Sequence, residues 1–377
     1  MSGFAGLPGA VAEGEGIQHY GAPLAEQREL AAGRAIALLG DRRVIAVSGP
    51  DRLSWLDSIT SQATGALAPG ESSELLILDP QGRVEHAASV LDDGATAWLI
   101  TDAADADGVL SWLLRMRFRL AVELRDAAEY AVVGAVDPST GSATGDAAPL
   151  VAAAGAAPNG VPLVWRDPWP DVSPGGWAYA EADPHPGAER RWIETIVPVD
   201  ELDDLVAAAG ERGVRVAGLL AVDALRIAAW RPRWSAEVDE RTIPHEVDWL
   251  RTAVHLTKGC YRGQETVAKV HNLGHPPRRL VLLHLDGSDS VLPERGAPVC
   301  NGDVVVGAVT SAVLHHEEGP IALALVKRST PADAGLLVDV ADGPVIAAAQ
   351  QVIVPADAGA TASVPRITRL SRRAPAS

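Results

Sequence analysis

The sequence is poor in cysteine, lysine and long apolar runs, and each shortage narrows the class of protein. Two cysteines in 377 residues are too few for a disulfide framework or a four-ligand zinc site. No unbroken apolar stretch reaches the roughly 18 residues of a membrane span, and the first residues lack the basic and apolar regions of a secretory signal. We therefore expect a cytoplasmic protein with no membrane partner and no bound metal.

The charge of the chain is negative overall but unevenly distributed. A formal net charge of −17 repels phosphate backbones, so we expect no direct binding of nucleic acid. The window 251–279, in contrast, holds six basic residues and one acid, a local charge of +5. Such a basic window in an acidic chain suggests a small anionic ligand, although charge alone fits a solvated surface equally well.

Lysine is scarce, and its placement is informative. Only three of the 32 basic residues are lysines, and Lys258 and Lys269 both lie in the basic window. A compact ammonium and a planar guanidinium are not interchangeable at a shaped site. We therefore interpret Lys258 as a residue selected for its chemistry.

The stretch LTKGCYRGQETVAKV contains this lysine and one of the two cysteines. Gly259 and Gly263 permit positive φ or a close approach of backbone to a ligand. Cys260 stands among basic residues, which favours a reactive thiol. Gln264 and Glu265 offer an amide and a carboxylate suited to the donor–acceptor edge of a flat heterocycle. The alternative is an inert, buried cysteine in a tight loop.

Hairpins and helices are mixed along the chain without regular βαβ alternation, which predicts an α+β fold. The apolar spacing predicts one helix over 24–39, and turn signals predict antiparallel strands over 75–78, 84–91 and 95–101. The predicted organisation is a disordered N-terminus (1–16), an α+β unit of two interleaved subdomains (17–275) with a low-complexity insert (137–160), an all-β barrel domain (276–360) and a tail (361–377).

The octapeptide KGCYRGQE (258–265) resembles the signature of the YgfZ family, folate-binding relatives of the glycine cleavage T-protein. The resemblance extends to VSGPDRLSWLDSITSQATGALAPG (47–70) and to GDVVVGAVTS (302–311). It implies a T-protein-like arrangement of three domains around a central channel that holds tetrahydrofolate or a derivative. The folate-binding residues implied are Arg226, Lys258, Gly259, Tyr261, Gly263, Gln264, Glu265 and Lys269.

The chain departs from the T-protein pattern where that family carries carboxylates. His86 and Ala87 stand where the resemblance places an aspartate pair, and Ala228 replaces a carboxylate that contacts the pterin. Without such a carboxylate, transfer to folate lacks its acid–base partner. We therefore expect folate binding without aminomethyltransferase activity. His86 is either a replacement base or a side chain that simply fills the channel.

Three functions remain open from the sequence. The resemblance implies a folate-dependent accessory protein for assembly or repair of iron–sulfur enzymes, including enzymes that modify tRNA, with Cys260 as its functional thiol. Its partners would be reduced folate and the iron–sulfur machinery or client enzymes. The alternatives are a true one-carbon (aminomethyl) transferase and a structural protein with a vestigial pocket.

Overall fold

The computed structural model describes residues 2–137, 145–288, 290–341 and 343–362. The helices of these residues are α1 Ser2–Ala5, α2 Pro23–Ala31, α3 Arg52–Ile59, α4 Ala103–Met116, α5 Ala147–Ala153, α6 Leu202–Glu211, α7 Leu219–Ala228, α8 Trp234–Glu237 and α9 Gln264–Leu273. None of them is long and apolar enough to cross a membrane.

The strands form two five-stranded sheets, a small hairpin and a closed barrel. They are β1 Val11–Glu13, β2 Gly16–His19, β3 Ala35–Leu38, β4 Arg42–Ser48, β5 Ser72–Leu78, β6 Val84–Asp92, β7 Thr96–Asp102, β8 Glu123–Asp126, β9 Tyr130–Val136, β10 Val164–Arg166, β11 Trp192–Pro198, β12 Arg215–Val216, β13 Arg278–Leu285, β14 Pro298–Asn301, β15 Val304–His315, β16 Gly319–Lys327, β17 Gly335–Asp339 and β18 Val345–Val352. The predicted α+β fold with a C-terminal barrel is confirmed.

The first sheet has the strand order β5-β6-β7-β4-β8 and is antiparallel throughout. Strand alternation gives it two buried faces. One face packs on α3 and α4 through residues such as Ile45 and Leu99, and the opposite face carries Leu76 toward the centre of the molecule. The three strands predicted over 75–101 are β5, β6 and β7.

The second sheet has the order β10-β11-β9-β3-β12, and its strand β3 corrects the prediction of a helix over 24–39. The helix α2 ends at Ala31, and Gly33 follows with φ +70°. The residues of β3, Ala35–Leu38, are all buried and pair with β9 and β12. A short apolar run is compatible with a buried strand as well as with a helix. Here the pairing with β9 and β12 makes it a strand.

The N-terminus and the insert are more ordered than predicted. Phe4 of α1 is fully buried beside α6, and the amide of Gly3 donates to Asp203, so the prediction of disorder over 1–16 is wrong for the described residues 2–16. Within the insert 137–160, Leu150 and Val151 of α5 are buried in the same core. Their burial supplies the apolar surface that orders this segment. Residues 138–144 of the insert lie outside the described residues.

The barrel follows the order β13-β16-β15-β14-β17-β18 and closes on itself. Its interior is apolar, with Val281, Val306 and Leu336 among the buried residues. After the barrel, the amides of Thr361 and Ala362 donate to carbonyls at the end of α9. The rest of the predicted tail, 363–377, lies outside the described residues.

Candidate functional site

The KGCYRGQE loop (residues 258–265) leads into α9 and packs against the turn between β5 and β6. Gly263 has φ +84° at the start of α9, and a Cβ there would lie 2.6 Å from the Asp79 carbonyl oxygen. Gly82 has φ +78°, and its Cβ would lie 2.9 Å from Cβ of Thr266. Both contacts are too close for any side chain. The two glycines therefore interlock a loop and a hairpin turn.

Lys258 caps the C-terminal end of α3. Its ammonium donates to the carbonyl oxygens of Asp57, of Thr60 (3.0 Å) and of Gln62 (2.7 Å). The oxygens of Asp57 and Thr60 belong to the negative end of the helix dipole, and Gln62 follows the helix. Burial lowers the pKa of Lys258, and the nearby Asp57 carboxylate opposes that shift. The three donors of the ammonium are thereby used, which corrects the prediction that Lys258 serves a folate or the thiol of Cys260.

The other motif residues divide into buried and exposed groups. Tyr261 is buried in the central core, and burial raises the pKa of its phenol. The Gln264 amide donates to the Lys258 carbonyl oxygen at 3.3 Å. Glu265 and Lys269 are exposed on α9. None of the motif residues lines the polar cavity between the two five-stranded sheets, whereas Arg226 does, so the structure separates Arg226 from the other predicted folate-binding residues.

Cys260 is the exposed cysteine of the pair, whereas Cys300 is buried. A Cβ built on Gly259 would meet nothing within 4 Å. The neighbouring Arg262 pairs with Glu85 at 2.8 Å. The loop therefore presents a thiol beside open space, flanked by an ion pair.

Strand β6 places His86 away from the centre of the molecule. Its Nδ1 lies 2.7 Å from the Asp105 carboxylate, under α4. Burial raises the pKa of Asp105, and the hydrogen bond with His86 acts in the opposite direction. A bulge at Glu85 precedes this residue in the pairing with β5. Ala87, not His86, faces the centre, which corrects the prediction that His86 is a base or a lining residue of the channel.

A polar cavity of about 60 Å³ lies where the two sheets meet the segment that joins α7 to α8. Ala87 and Ser89 of β6 form part of its wall. The charged residues that line it are Arg42, Glu74, Asp102, Asp167, Arg190, Glu194, Arg226, Arg231 and Arg233, and the tryptophans are Trp165, Trp192, Trp234 and Trp249.

Most of these charges are paired inside the protein. Arg231 contacts Glu74 at 2.8 Å and Asp167 at 3.2 Å. Asp102 binds Arg42 and, at 2.8 Å, Arg233. Burial raises the pKa of Asp102, but the two arginines outweigh it and bring that pKa down to about 2. Asp102 is therefore held ionised, and the carboxylates of Glu74 and Asp167 are occupied by ion pairs.

Arg226, a predicted folate-binding residue, lines the cavity, but its guanidinium is occupied within the protein. It donates to Asp223 (3.0 Å), Glu237 (2.9 Å) and Ser311 (3.0 Å). The same arginine and Arg233 also line a cleft of about 380 Å³ between α7 and the barrel. The two side chains thus stand between the cavity and the cleft.

Glu194 is a cavity residue that the sequence analysis missed. Its Oε1 accepts from the Trp192 indole at 3.1 Å, while its Oε2 is buried without a partner among the described residues. The Nε of Arg190 is likewise buried and unpartnered there. The cavity therefore offers one free acceptor and one free donor. A single acid inside the apolar strand WIETIV is the sequence signal for it.

Comparison with known proteins agrees with this architecture. Residues 278–354 match the glycine cleavage T-protein C-terminal barrel domain. An aminomethyltransferase of Rippkaea orientalis is 27% identical over 306 residues, covering 75% of this chain and 76% of that protein. One from Symbiobacterium thermophilum is 27% identical over 281 residues, covering 70% of each chain. The chain is thus similar to aminomethyltransferases over about three quarters of its length.

The fold comparison extends this likeness to the whole molecule. The crystal structure of aminomethyltransferase T of the glycine cleavage system from Bartonella henselae superposes with a TM-score of 0.68. It covers 92% of this chain and 94% of that chain at 19% identity. The T-protein-like fold that the resemblance implied is therefore confirmed.

Proposed function

We propose that this aminomethyltransferase-like chain binds a reduced folate without transferring an aminomethyl group. Ala87 carries the proposal, because it faces the cavity at the place where the resemblance to T-proteins puts a catalytic carboxylate. His86 cannot substitute, since it points to Asp105 on the other face of the sheet. A proton transfer needs a base within hydrogen-bonding reach, and this position supplies none.

The polar groups and aromatic rings that line the cavity suit a reduced folate, but the cavity as it stands is too small to hold one. The free Oε2 of Glu194 can accept an N–H of a pterin, and four tryptophans line the same space. Small-molecule pockets span about 300–1,000 Å³. The cavity, at about 60 Å³, is too small for such a ligand, whereas the cleft between α7 and the barrel, at about 380 Å³, is large enough. Folate binding thus depends on displacing Arg226 or Arg233. A bound folate would act as the carrier of a one-carbon unit.

The cellular role that we propose is support of iron–sulfur cluster assembly or repair, with Cys260 as the functional group. The observation in favour is that Cys260 is exposed and that the space beside the neighbouring Gly259 is open among the described residues. The clients would be iron–sulfur enzymes, including those that modify tRNA. In cells that lack the native protein, Cys260→Ser is expected to abolish this support, whereas Cys300→Ser retains it.

Titration with tetrahydrofolate, followed by tryptophan fluorescence and calorimetry, tests the binding step. We expect saturable binding in the micromolar range that Glu194→Gln weakens about tenfold or more, because one lost charged hydrogen bond corresponds to about 1.5–3 kcal/mol. Glu123→Gln, an exposed change on β8, is the matched control. Absence of binding at low salt, where attraction of the anionic folate is strongest, contradicts the proposal.

A true aminomethyltransferase remains the second candidate, because the relatives at 27% identity carry that name. A reconstituted glycine cleavage assay separates the two functions. We expect no turnover when this chain replaces the T-protein. Turnover comparable to that of a T-protein would favour the transferase.

A further inference from the structure

The end of α4 and the turn that follows it form an exposed apolar and basic segment, LRMRFRL (residues 114–120). Phe118 is 80% exposed in the turn, and Leu114 and Leu120 are exposed by 46% and 43%. The basic residues of the segment are Arg115, Arg117 and Arg119. None of the three forms an ion pair or a side-chain hydrogen bond among the described residues, and the segment contains no acid. Exposed apolar surface and three uncompensated positive charges thus occur together.

Both ends of this turn are fixed to α3 and to the residues before that helix. The Met116 carbonyl oxygen accepts from the Trp55 indole at 3.2 Å. The Ala121 amide donates to the Asp51 carboxylate at 2.9 Å. Ala121 also packs on Gly49, where a Cβ would lie 2.1 Å from the Ala121 carbonyl oxygen. The turn is therefore held in place by the fold itself, which lowers the entropy cost of binding a partner.

Phe118 has a backbone conformation that folding alone does not explain. Its φ is +47°, in the left-handed region that is unfavourable for a residue with a Cβ. Strain of this kind is often found at functional sites. Burial of the ring does not compensate for it here, because the residue remains mostly exposed. The aromatic ring therefore contributes little to the core and is available to another molecule.

We propose that the LRMRFRL segment is the docking surface for an acidic protein. Phe118 enters an apolar pocket of that partner, and the three arginines pair with carboxylates around the pocket. Aromatic residues and arginines are the side chains enriched at the energetic centres of protein interfaces. The inference goes beyond the proposed function and does not depend on folate binding.

The charge of the chain favours a protein over an extended polyanion. The segment contributes +3 to a net charge of −17, so the rest of the chain carries −20. A nucleic acid or an anionic membrane extends well beyond the segment and is repelled by that remaining charge. A protein with a local acidic patch meets the segment alone, and screening beyond roughly 8 Å at physiological salt weakens the repulsion from more distant acids.

Photo-crosslinking in the cells that naturally produce the full chain tests the proposal. The probe is p-benzoylphenylalanine in place of Phe118. We expect an adduct with an acidic protein, and this adduct should be lost when the three arginines of the segment are replaced together by glutamine. It should remain with Arg212→Gln, an exposed change at the end of α6. No protein adduct, an adduct with a second copy of this chain, or an adduct that the three glutamines leave unchanged would overturn the proposal.

Phe118→Gly separates binding from folding once the crosslinked partner is purified. Its affinity for the partner, measured by calorimetry, is expected to fall about tenfold or more, because the apolar anchor is lost. Its melting temperature should stay the same or rise, since glycine adopts positive φ without strain. A lower melting temperature together with unchanged affinity would assign Phe118 to the fold and overturn the proposal.

Cosedimentation of the purified chain with vesicles of phosphatidylglycerol and phosphatidylcholine tests the membrane directly. We expect the chain to stay in the supernatant. Sedimentation with these vesicles that Phe118→Gly abolishes would overturn the proposal in favour of a membrane surface.

Discussion

At the scale of single residues, the ammonium of Lys258 is a structural cap whose three bonds hold the end of α3 against the KGCYRGQE loop. A point charge with three donors suits three converging carbonyl oxygens better than the flat fork of an arginine. This geometry explains why a chain that mostly uses arginine keeps a lysine here.

Lys258→Met is therefore expected to lower the free energy of unfolding by about 2–4 kcal/mol, because buried carbonyls lose their donors. Denaturant unfolding measures this change, and Lys269→Met, on the exposed face of α9, serves as the control. Iodoacetamide should still alkylate Cys260 at nearly the wild-type rate. A large fall in that rate without loss of stability would restore a direct role for Lys258 at the thiol.

Asp248 is a second residue whose environment has a measurable consequence. It is fully buried with φ +57°, and its Oδ1 accepts from the Tyr179 amide while its Oδ2 has no partner among the described residues. Burial raises the pKa of this carboxyl from 3.8 to about 7, against the hydrogen bonds that it accepts. The neutral form is thus favoured in the folded state.

The folded protein is therefore expected to lose stability from Asp248 as the pH rises from about 4 to 7. In that window the unfolded chain releases the proton and the folded chain retains it, at about 1.4 kcal/mol per pH unit. Asp248→Asn removes this term, so its stability relative to wild type should increase by about 2–3 kcal/mol between pH 5 and pH 8. Chemical denaturation at both pH values measures it. Asp303→Asn, an exposed change, should follow wild type, and parallel curves for Asp248→Asn would contradict the argument.

At the scale of elements, the contact between the β5–β6 turn and the start of α9 depends on two glycines. The Cα of Gly82 lies 3.0 Å from where a Cβ of Gly263 would be. Gly259, four residues earlier, has open space around it. One motif thus contains a glycine required by packing and a glycine that packing does not require.

Gly263→Ala is expected to destabilise the protein by about 2–4 kcal/mol, since it combines an unfavourable positive φ with a backbone clash. Gly259→Ala should change stability by less than about 0.5 kcal/mol. Thermal melts of both variants test the difference. Equal melting temperatures for the two variants would contradict the close packing of Gly263 against the β5–β6 turn. If Gly259→Ala reduces the support of iron–sulfur enzymes in cells but leaves the melting temperature unchanged, the open space beside Cys260 serves a partner.

The elements predicted correctly are those whose signal is local. The hairpins over 75–101 follow from alternation and turn residues, and KGCYRGQE identifies the fold group. The strand β3 and the burial of Phe4 could not be predicted, because each depends on pairing or packing with residues more than about a hundred positions away. The same holds for Lys258, whose partners lie some two hundred positions earlier in the chain.

At the scale of the whole molecule, Glu74 joins the parts that surround the cavity. Its carboxylate, on β5 of the first sheet, accepts from Arg231, from the Trp249 indole at 3.1 Å and from the Thr252 hydroxyl at 2.6 Å. Arg231 continues the network to Asp167, next to the second sheet. The network therefore links the first sheet, the segment 249–252 and the end of β10 around the cavity.

Glu74→Gln is expected to lower the free energy of unfolding by about 3–5 kcal/mol, because it leaves a buried arginine short of a counter-charge and two donors poorly matched. The double variant with Arg231→Met should recover part of that loss, since removal of both charges leaves less unpaired charge behind. Equilibrium denaturation of the two single variants and the double variant measures the coupling, with Glu123→Gln as the exposed control. Simple additivity would show that the two side chains act separately, and the cavity would then be closed by packing and not by its ion pairs.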